Sequence, residues 1–430
     1  MEQTQERRRL EQRQERRRKA KALYRRNNLR HALWVCALLL VFGLGCTLLT
    51  LLHPARAYSE SENRMLAQKP ALTGAALADG SYFSGLEAAY ADQFVGRDGW
   101  ISTKLGFDRF FGARESSGVY LADDHYLIQI PADPNEAALA RNLEAINAFA
   151  AANPDTATYM TLVPNAITVL ADKLPDSAPA PDQVAQLKAL REKLKGITFL
   201  DVTQALLDHN TEELYYHTDH HWTSLGARYA FEAMAEGLGV EPVTEYQVYT
   251  VSGTFEGTLS ARSGSHDWLD KVQIYVPQPE ADYKVVYADS QKITATLYEK
   301  SALEAKDHYT VFFGGNHPRL DITTTVEADR RLLIFKDSYA NCFVQFLTPY
   351  FDKIILVDPR YYYEDISILM KQNQITDVLF LYNLDTFLSD NSLADVLALP
   401  ETEQETEEPL PVQTGDTGAE STAASTEAAP

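Results

Sequence analysis

Twenty-one consecutive uncharged residues, Ala32 to Leu52 (ALWVCALLLVFGLGCTLLTLL), constrain this chain more than any other feature. At about 1.5 Å per residue, a helix of that length matches the roughly 30 Å hydrocarbon layer of a bilayer. A helix buried in a soluble core is seldom apolar on every face. The thirty residues ahead of it hold ten Arg and two Lys against four Glu, a net of +8 in a chain whose formal charge is −21. Positive flanks stay in the cytoplasm. The expected topology is therefore single-pass type II in the cell membrane, with residues 1–31 inside, 32–52 across, and the chain from His53 onward extracellular. Ala55-Arg56-Ala57 mimics a signal-peptidase site. The apolar run exceeds the roughly 7–15 residues of a cleaved signal, so the helix is expected to stay as an anchor.

With the basic end inside, the exported part is strongly acidic and would repel a phosphate backbone, which argues against a nucleic-acid partner. Cys36 and Cys46 fall in the apolar segment, leaving Cys342 alone outside, so no disulfide can staple the exported fold. Residues 399–430 read as a disordered acidic tail: from Glu401 on there are eight acidic residues, no Lys or Arg, and many Thr, Ser, Ala and Pro. Within it, Leu410 to Gly415 looks like a sortase signal with one residue too many. No hydrophobic stretch and basic end follow, so it reads as spacer.

Residues 53–131 read as a loop-rich, polar lead-in that packs on a larger domain, with Glu62-Asn63-Arg64 and Ala91 to Asp98 as its prominent segments. From 132 to 398 the pattern changes to alternating helical and strand-like segments. Helical spacing of Leu139, Leu143, Ile146 and Phe149 precedes a strand at 156–163; helix 184–194 precedes a strand at 197–202; and helix 227–238 follows Thr223 or Ser224 as N-cap. Residues 241–313 lean to β structure, including a strand at 309–313, and read as an insertion. Strand 331–335, helix 340–351, strand 353–357, helix 365–372 and strand 377–382 then imply a parallel sheet with crossover helices, an α/β fold. In such sheets chemistry gathers beyond the strands' C-terminal ends, which brings 336–339, 358–361 and 383–385 to one crevice.

Ser338 stands between an apolar strand and a helix, where free N–H groups and the positive end of the helix dipole favour either a nucleophile or a simple cap. The segment Tyr215 to Thr223 (YYHTDHHWT) packs one acid and three imidazoles into five positions. Residues two apart in an extended segment share a face, so Asp219 could fix the tautomer of His221 while the ring's other nitrogen meets a serine, and His220 points away. The alternating His217, Asp219 and His221 would also suit zinc, and a hydrogen-bonded loop without chemistry is a third reading. Gly314-Gly315-Asn316 reads as a turn, Trp268 and Tyr361 to Tyr363 as core, rim or a platform for sugar rings, and Cys342 as a small packed side chain.

Taken together, Tyr216 to Ala227 (YHTDHHWTSLGA) and Lys336 to Tyr339 (KDSY) resemble the DHHW family, which is similar to the alginate O-acetyltransferases of the SGNH-hydrolase-like superfamily. The resemblance spans roughly residues 58–395. It implies a circularly permuted SGNH-like fold with Ser338 as nucleophile, His221 as general base and Asp219 as its orienting partner. Asn383 stands where that pattern has an oxyanion-binding asparagine. The pattern's glycine is replaced by Asp358-Pro359-Arg360-Tyr361, leaving Arg360 as a candidate donor beside the Ser338 amide, with Tyr339 a further candidate for substrate contact. The resemblance further implies O-acetyl transfer to a cell-envelope glycan without a cofactor, with acyl groups handed across the membrane by a membrane-bound O-acyltransferase partner. A carbohydrate esterase using the same triad, and a non-catalytic glycan-binding or assembly protein, are the alternatives.

Overall fold

The computed structural model describes residues 2–59 and 64–398, with side chains described from residue 15 except at Tyr58 and Arg64. The Glu62-Asn63 pair, the acidic tail and its Leu410 to Gly415 segment lie outside the described residues. In chain order the elements that position the site are helix α1 (Glu2–Leu52), α2 (Ser81–Asp92) and α3 (Arg97–Phe110), strands β1 (Val119–Leu121) and β2 (Leu127–Gln129), helix α4 (Glu136–Ala152), β3 (Ala157–Val163), α5 (Gln183–Arg191) and β4 (Thr198–Phe199). Next come α6 (Ser224–Leu238), β5 (Tyr246–Phe255), β6 (Asp270–Pro277), β7 (Tyr283–Tyr287), β8 (Ile293–Thr294), β9 (Arg319–Thr324) and β10 (Arg331–Lys336). After them come α7 (Tyr339–Phe343), β11 (Lys353–Val357), α8 (Ile366–Asn373), β12 (Asp377–Asn383) and α9 (Leu384–Ser389).

An eight-stranded sheet in the order β8-β7-β9-β11-β10-β12-β3-β4 forms the centre. Strands β11, β10, β12, β3 and β4 run parallel, whereas β9, β7 and β8 extend the sheet antiparallel. β10 and β12 read as near-continuous apolar runs because both their faces are covered. Leu332 and Ile334 pack on one side with Phe231 and Met234 of α6, while Leu333 and Phe335 pack on the other with Ile146 and Phe149 of α4 and Leu369 of α8. Each such buried side chain contributes about 1.5–3 kcal/mol, so Leu333→Ala would cost about 2–5 kcal/mol.

The α/β class expected from the alternation is what the structure has, and three details differ. The sheet is mixed rather than purely parallel: within 241–313 only β5 and β6 form a separate ribbon, while β7 and β8 join the main sheet. Residues 308–311 are a 3-10 turn instead of a strand, because the Asp307 side chain accepts the Tyr309 amide and the positive φ of Phe313, Gly314 and Gly315 turns the chain away. The helix after Ser338 tightens beyond Phe343 into a 3-10 turn at Val344–Phe346, with all these side chains buried. The lead-in is more helical than its polarity suggested, since α2 and α3 follow Gly80 and Gly96, whose φ values of 80° and 67° redirect the backbone.

Candidate active site

Ser338 lies just past the end of β10, at the first turn of α7. Its position is fixed from three sides. The Ser338 carbonyl accepts the Tyr309 hydroxyl at 2.8 Å, the Tyr339 carbonyl accepts the Trp222 indole N–H at 2.9 Å, and the Tyr339 hydroxyl donates to the His220 carbonyl. Trp222 is fully buried and stacked on Phe343, so the aromatic residue after the histidines ties their loop to the serine's helix.

Across this junction the His221 Nε2 lies 2.7 Å from the Ser338 Oγ, and its Nδ1 lies 2.5 Å from the Asp219 Oδ1. A carboxylate can only accept, so Nδ1 carries the proton and Nε2 is left to receive the serine hydroxyl. Asp219 Oδ1 also accepts the His221 amide at 3.0 Å; Oδ2 accepts both the amide and the hydroxyl of Thr258 at 2.8 Å. Burial alone would raise the Asp219 pKa, but the two neighbouring imidazoles and these hydrogen bonds outweigh it and hold the carboxyl well below its usual range. The Thr258 loop approaches closely because residue 257 is glycine: a Cβ there would lie 2.3 Å from the Asp219 Cβ. Tyr309 stacks on the His221 ring at 3.9 Å and holds its plane.

His220 does not point away, as the extended-segment argument expects; its ring lies 4.0 Å from that of His221. Because the Thr258 hydroxyl proton goes to Asp219, His220 Nδ1, 2.9 Å from Thr258 Oγ1, must donate, leaving Nε2 as an acceptor. About a third of the side chain is exposed (35%), yet burial of the ring, followed by the adjacent His221, lowers its pKa to about 4 and keeps it neutral.

The zinc grouping of His217, Asp219 and His221 is not assembled. His217 turns to Asp270, 3.1 Å from its Nδ1, and stacks on Tyr126 at 3.9 Å. Asp219, His220 and His221 do bring one ligand atom each within 4.8 Å of one another. The four donors already on Asp219 fill its lone pairs, so the cluster suits a hydrogen-bonded base better than a cation.

Asn383 ends β12, where the pairing of Lys336 with Leu381 sets it level with Ser338. Its amide donates to Asp337 Oδ2 at 2.9 Å, and its Oδ1 accepts from Asn165 and from the first amides of α9. The Asn383 Nδ2 is buried with no protein partner, the state of a donor kept for something else. Arg360 is a correction to the sequence expectation: its guanidinium grips Asp358 at 2.8 and 2.6 Å, and its amide turns to the same carboxylate. Asp358 in turn lies 3.6 Å from the Nζ of fully buried Lys336, which donates to Asn316 and Asn341. Burial, against the pull of Asp358, lowers the Lys336 pKa to about 8. Tyr339 is a second correction, since it is buried and its hydroxyl is committed to His220. Gly314 to Asn316 serves the Lys336 network, and burial pushes the Cys342 thiol up to about 12, consistent with a packed side chain. Trp268 stacks on His125, while Tyr361 and Tyr363 are exposed.

Sequence reasoning missed Gly257, Thr258, Tyr309 and Asp270. Thr258 lies 39 positions from the acid it supports, and no local pattern joins the two.

A mixed α/β sheet with Ser, His and Asp side chains meeting at the strand ends defines an SGNH-hydrolase-like domain of the acetyltransferase and esterase class. Residues 121–305 match the family model of the SGNH hydrolase-like domain of the acetyltransferase AlgX, a stretch that contains Asp219 and His221 and ends before Ser338. Among solved structures, a DHHW family protein from Eubacterium siraeum is 26% identical, with 65% of this chain and 95% of that chain covered and a TM-score of 0.57. PatB1 of Bacillus cereus, solved with a sulfonyl adduct, is 20% identical over 64% of this chain and 97% of that one, at a TM-score of 0.54. No curated protein is similar enough to this chain to be matched. The resemblance to DHHW proteins and AlgX-type acetyltransferases drawn from the two motifs is borne out.

Proposed function

We propose that this O-acetyltransferase-like protein acetylates hydroxyls of a cell-envelope glycan through a Ser338-His221-Asp219 triad, while α1 anchors it in the cell membrane with the domain outside. The observation that carries this is the unbroken chain of short contacts from Asp219 through His221 to the Ser338 hydroxyl.

In the first half-reaction His221 Nε2 takes the Ser338 proton as Oγ attacks the acyl carbonyl, and Asp219 stabilises the imidazolium that forms. The oxyanion would meet the Ser338 amide and the unpartnered Asn383 Nδ2. The leaving group departs with the proton from His221. In the second half a sugar hydroxyl gives its proton to His221 and attacks the acetyl-serine ester; the bond to Ser338 Oγ breaks, and Oγ takes that proton back from His221 as the acetylated sugar leaves. Water in that place would make the protein an esterase. An acetyl donor is scarce outside the membrane, which is why a membrane-bound O-acyltransferase is the proposed donor partner.

The test incubates the purified full chain with an activated acetyl ester, with and without oligosaccharide. Acetylated sugar that disappears with Ser338→Ala supports transfer; free acetate under every condition supports hydrolysis; no turnover by either route contradicts the reading.

A further inference from the structure

α2 and α3, joined to the catalytic domain, pack against the apolar segment of α1. Phe42 meets Trp100 edge to face with ring centroids 6.2 Å apart, Thr47 Oγ1 lies 2.8 Å from the Tyr90 hydroxyl, and Thr50 Oγ1 accepts the Val95 amide at 3.1 Å. From Leu52 back to Phe42 is ten residues, about 15 Å of helix, so these contacts fall in the outer half of a roughly 30 Å hydrocarbon layer. Both helices turn an apolar stripe outward. On α3 and its C-cap, Trp100, Phe107, Phe110 and Phe111 repeat at helical spacing, with Phe107 65% and Phe110 82% exposed; on α2, Phe83, Leu86 and Tyr90 do the same. The opposite side of α3 faces the protein through buried Leu105 and half-buried Ile101. So many exposed aromatic rings on one surface mark an interaction site rather than chance exposure.

We propose that α2 and α3 lie in the outer leaflet beside the anchor, with Phe83, Phe107, Phe110 and Phe111 among the acyl chains, so that the catalytic domain is seated on the membrane instead of swinging from a tether. The inference rests on α1 being the membrane anchor. Two observations select lipid as the occupant. The stripe is continuous with α1, itself exposed along its apolar length, so one apolar surface serves both. Beside α3, a cleft of about 520 Å³ is lined by Arg97, Lys104 and Arg262; Arg97 and Lys104 have Asp92 and Asp108 as ion partners, and the three basic side chains still flank the aromatic stripe where headgroups would lie. Apolar rings flanked by basic groups are the pattern of helices that rest in a bilayer interface.

The test uses the full chain, with Cys36 and Cys46 replaced by alanine, in nanodiscs of phosphatidylcholine and phosphatidylglycerol. Single nitroxides are attached through Phe110→Cys, Leu40→Cys and Tyr363→Cys, and their collisions with oxygen and with a water-soluble nickel chelate are compared. The proposal expects positions 110 and 40 to share an oxygen-to-nickel ratio several-fold above that at 363, where the parent tyrosine is 90% exposed. A ratio at 110 equal to that at 363, with 40 still lipid-like, overturns the seating and leaves the anchor standing. Water-like behaviour at both 110 and 40 overturns the anchor and the inference together. Low accessibility to both reagents at 110 means another protein covers the stripe, which also overturns it. A label through Phe83→Cys repeats the measurement on α2.

Discussion

Two histidines four residues apart in the same loop each pair with a carboxylate, His217 with Asp270 at the start of β6 and His221 with Asp219. Both are buried, and both acids are saturated by hydrogen bonds: Asp270 accepts the amides of His217 and Thr218, the Thr218 hydroxyl and the His217 ring. They differ in what the far side of each ring meets. His217 is enclosed between Tyr126 and Trp268, whereas His221 presents Nε2 to a serine hydroxyl. An imidazole held by a carboxylate is thus a structural clamp until a nucleophile faces it.

Substitution of the two acids separates clamp from catalyst. Asp219→Asn should slow acylation of Ser338 by roughly 10³- to 10⁴-fold, measured by stopped-flow release from an activated ester, because the wrong tautomer then faces the serine. Asp270→Asn should leave the rate per folded molecule within about tenfold and instead lower thermal stability by about 1–3 kcal/mol, since buried donors lose their acceptor. Equal effects on rate would erase the distinction.

A next-largest effect should come from Asn383. Its Nδ2 has no protein partner, so Asn383→Ala should reduce acylation by about 10²- to 10³-fold, and loss of the α9 cap should cost about 1 kcal/mol in a denaturant melt. A rate unchanged after correction for folding would remove it from the oxyanion site.

Further down the scale is the pH response of Lys336, whose Nζ lies 3.6 Å from Asp358. Its folded pKa of about 8 lies below the ordinary 10.5, so between those values the unfolded chain binds a proton that the folded chain lacks. Stability should therefore rise from pH 8 to 10.5 and flatten in Lys336→Met, read from thermal midpoints. By the same sign, His220 should make the wild type lose stability as pH falls from 6.5 towards 4. The smallest effect is expected for Arg360→Lys: because its guanidinium serves Asp358, acylation should change by less than about threefold.

Much of this was legible in the sequence because its signals are local. The apolar runs at 331–335, 353–357 and 377–382 and the helical spacing at 139–149 were read from neighbouring residues, and the structure places β10, β11, β12 and α4 there. The loop Tyr216 to Trp222 and the turn Lys336 to Tyr339 each announced chemistry within a few positions. What was not legible is long-range. Thr258 reaches Asp219 from a distant segment, and Tyr309 stacks on His221 from a stretch whose aromatic and β-branched residues mimic a strand. His217 paired with Asp270 because the loop bends, which the i and i+2 argument for an extended segment cannot foresee. That the candidate donor Arg360 is engaged by Asp358 is not legible either, since the burial of Asp358 two positions earlier is a property of the sheet.

The proposed chemistry requires that Ser338 become acylated with His221 as its base. Peptide mass spectrometry of the full chain, exposed briefly to an activated acetyl ester at neutral pH and then quenched with acid, measures this directly. Acetyl is expected on the peptide containing Ser338 in the wild type and is lost in His221→Ala; ester turnover that never labels Ser338, or equal labelling without His221, would rule the triad out.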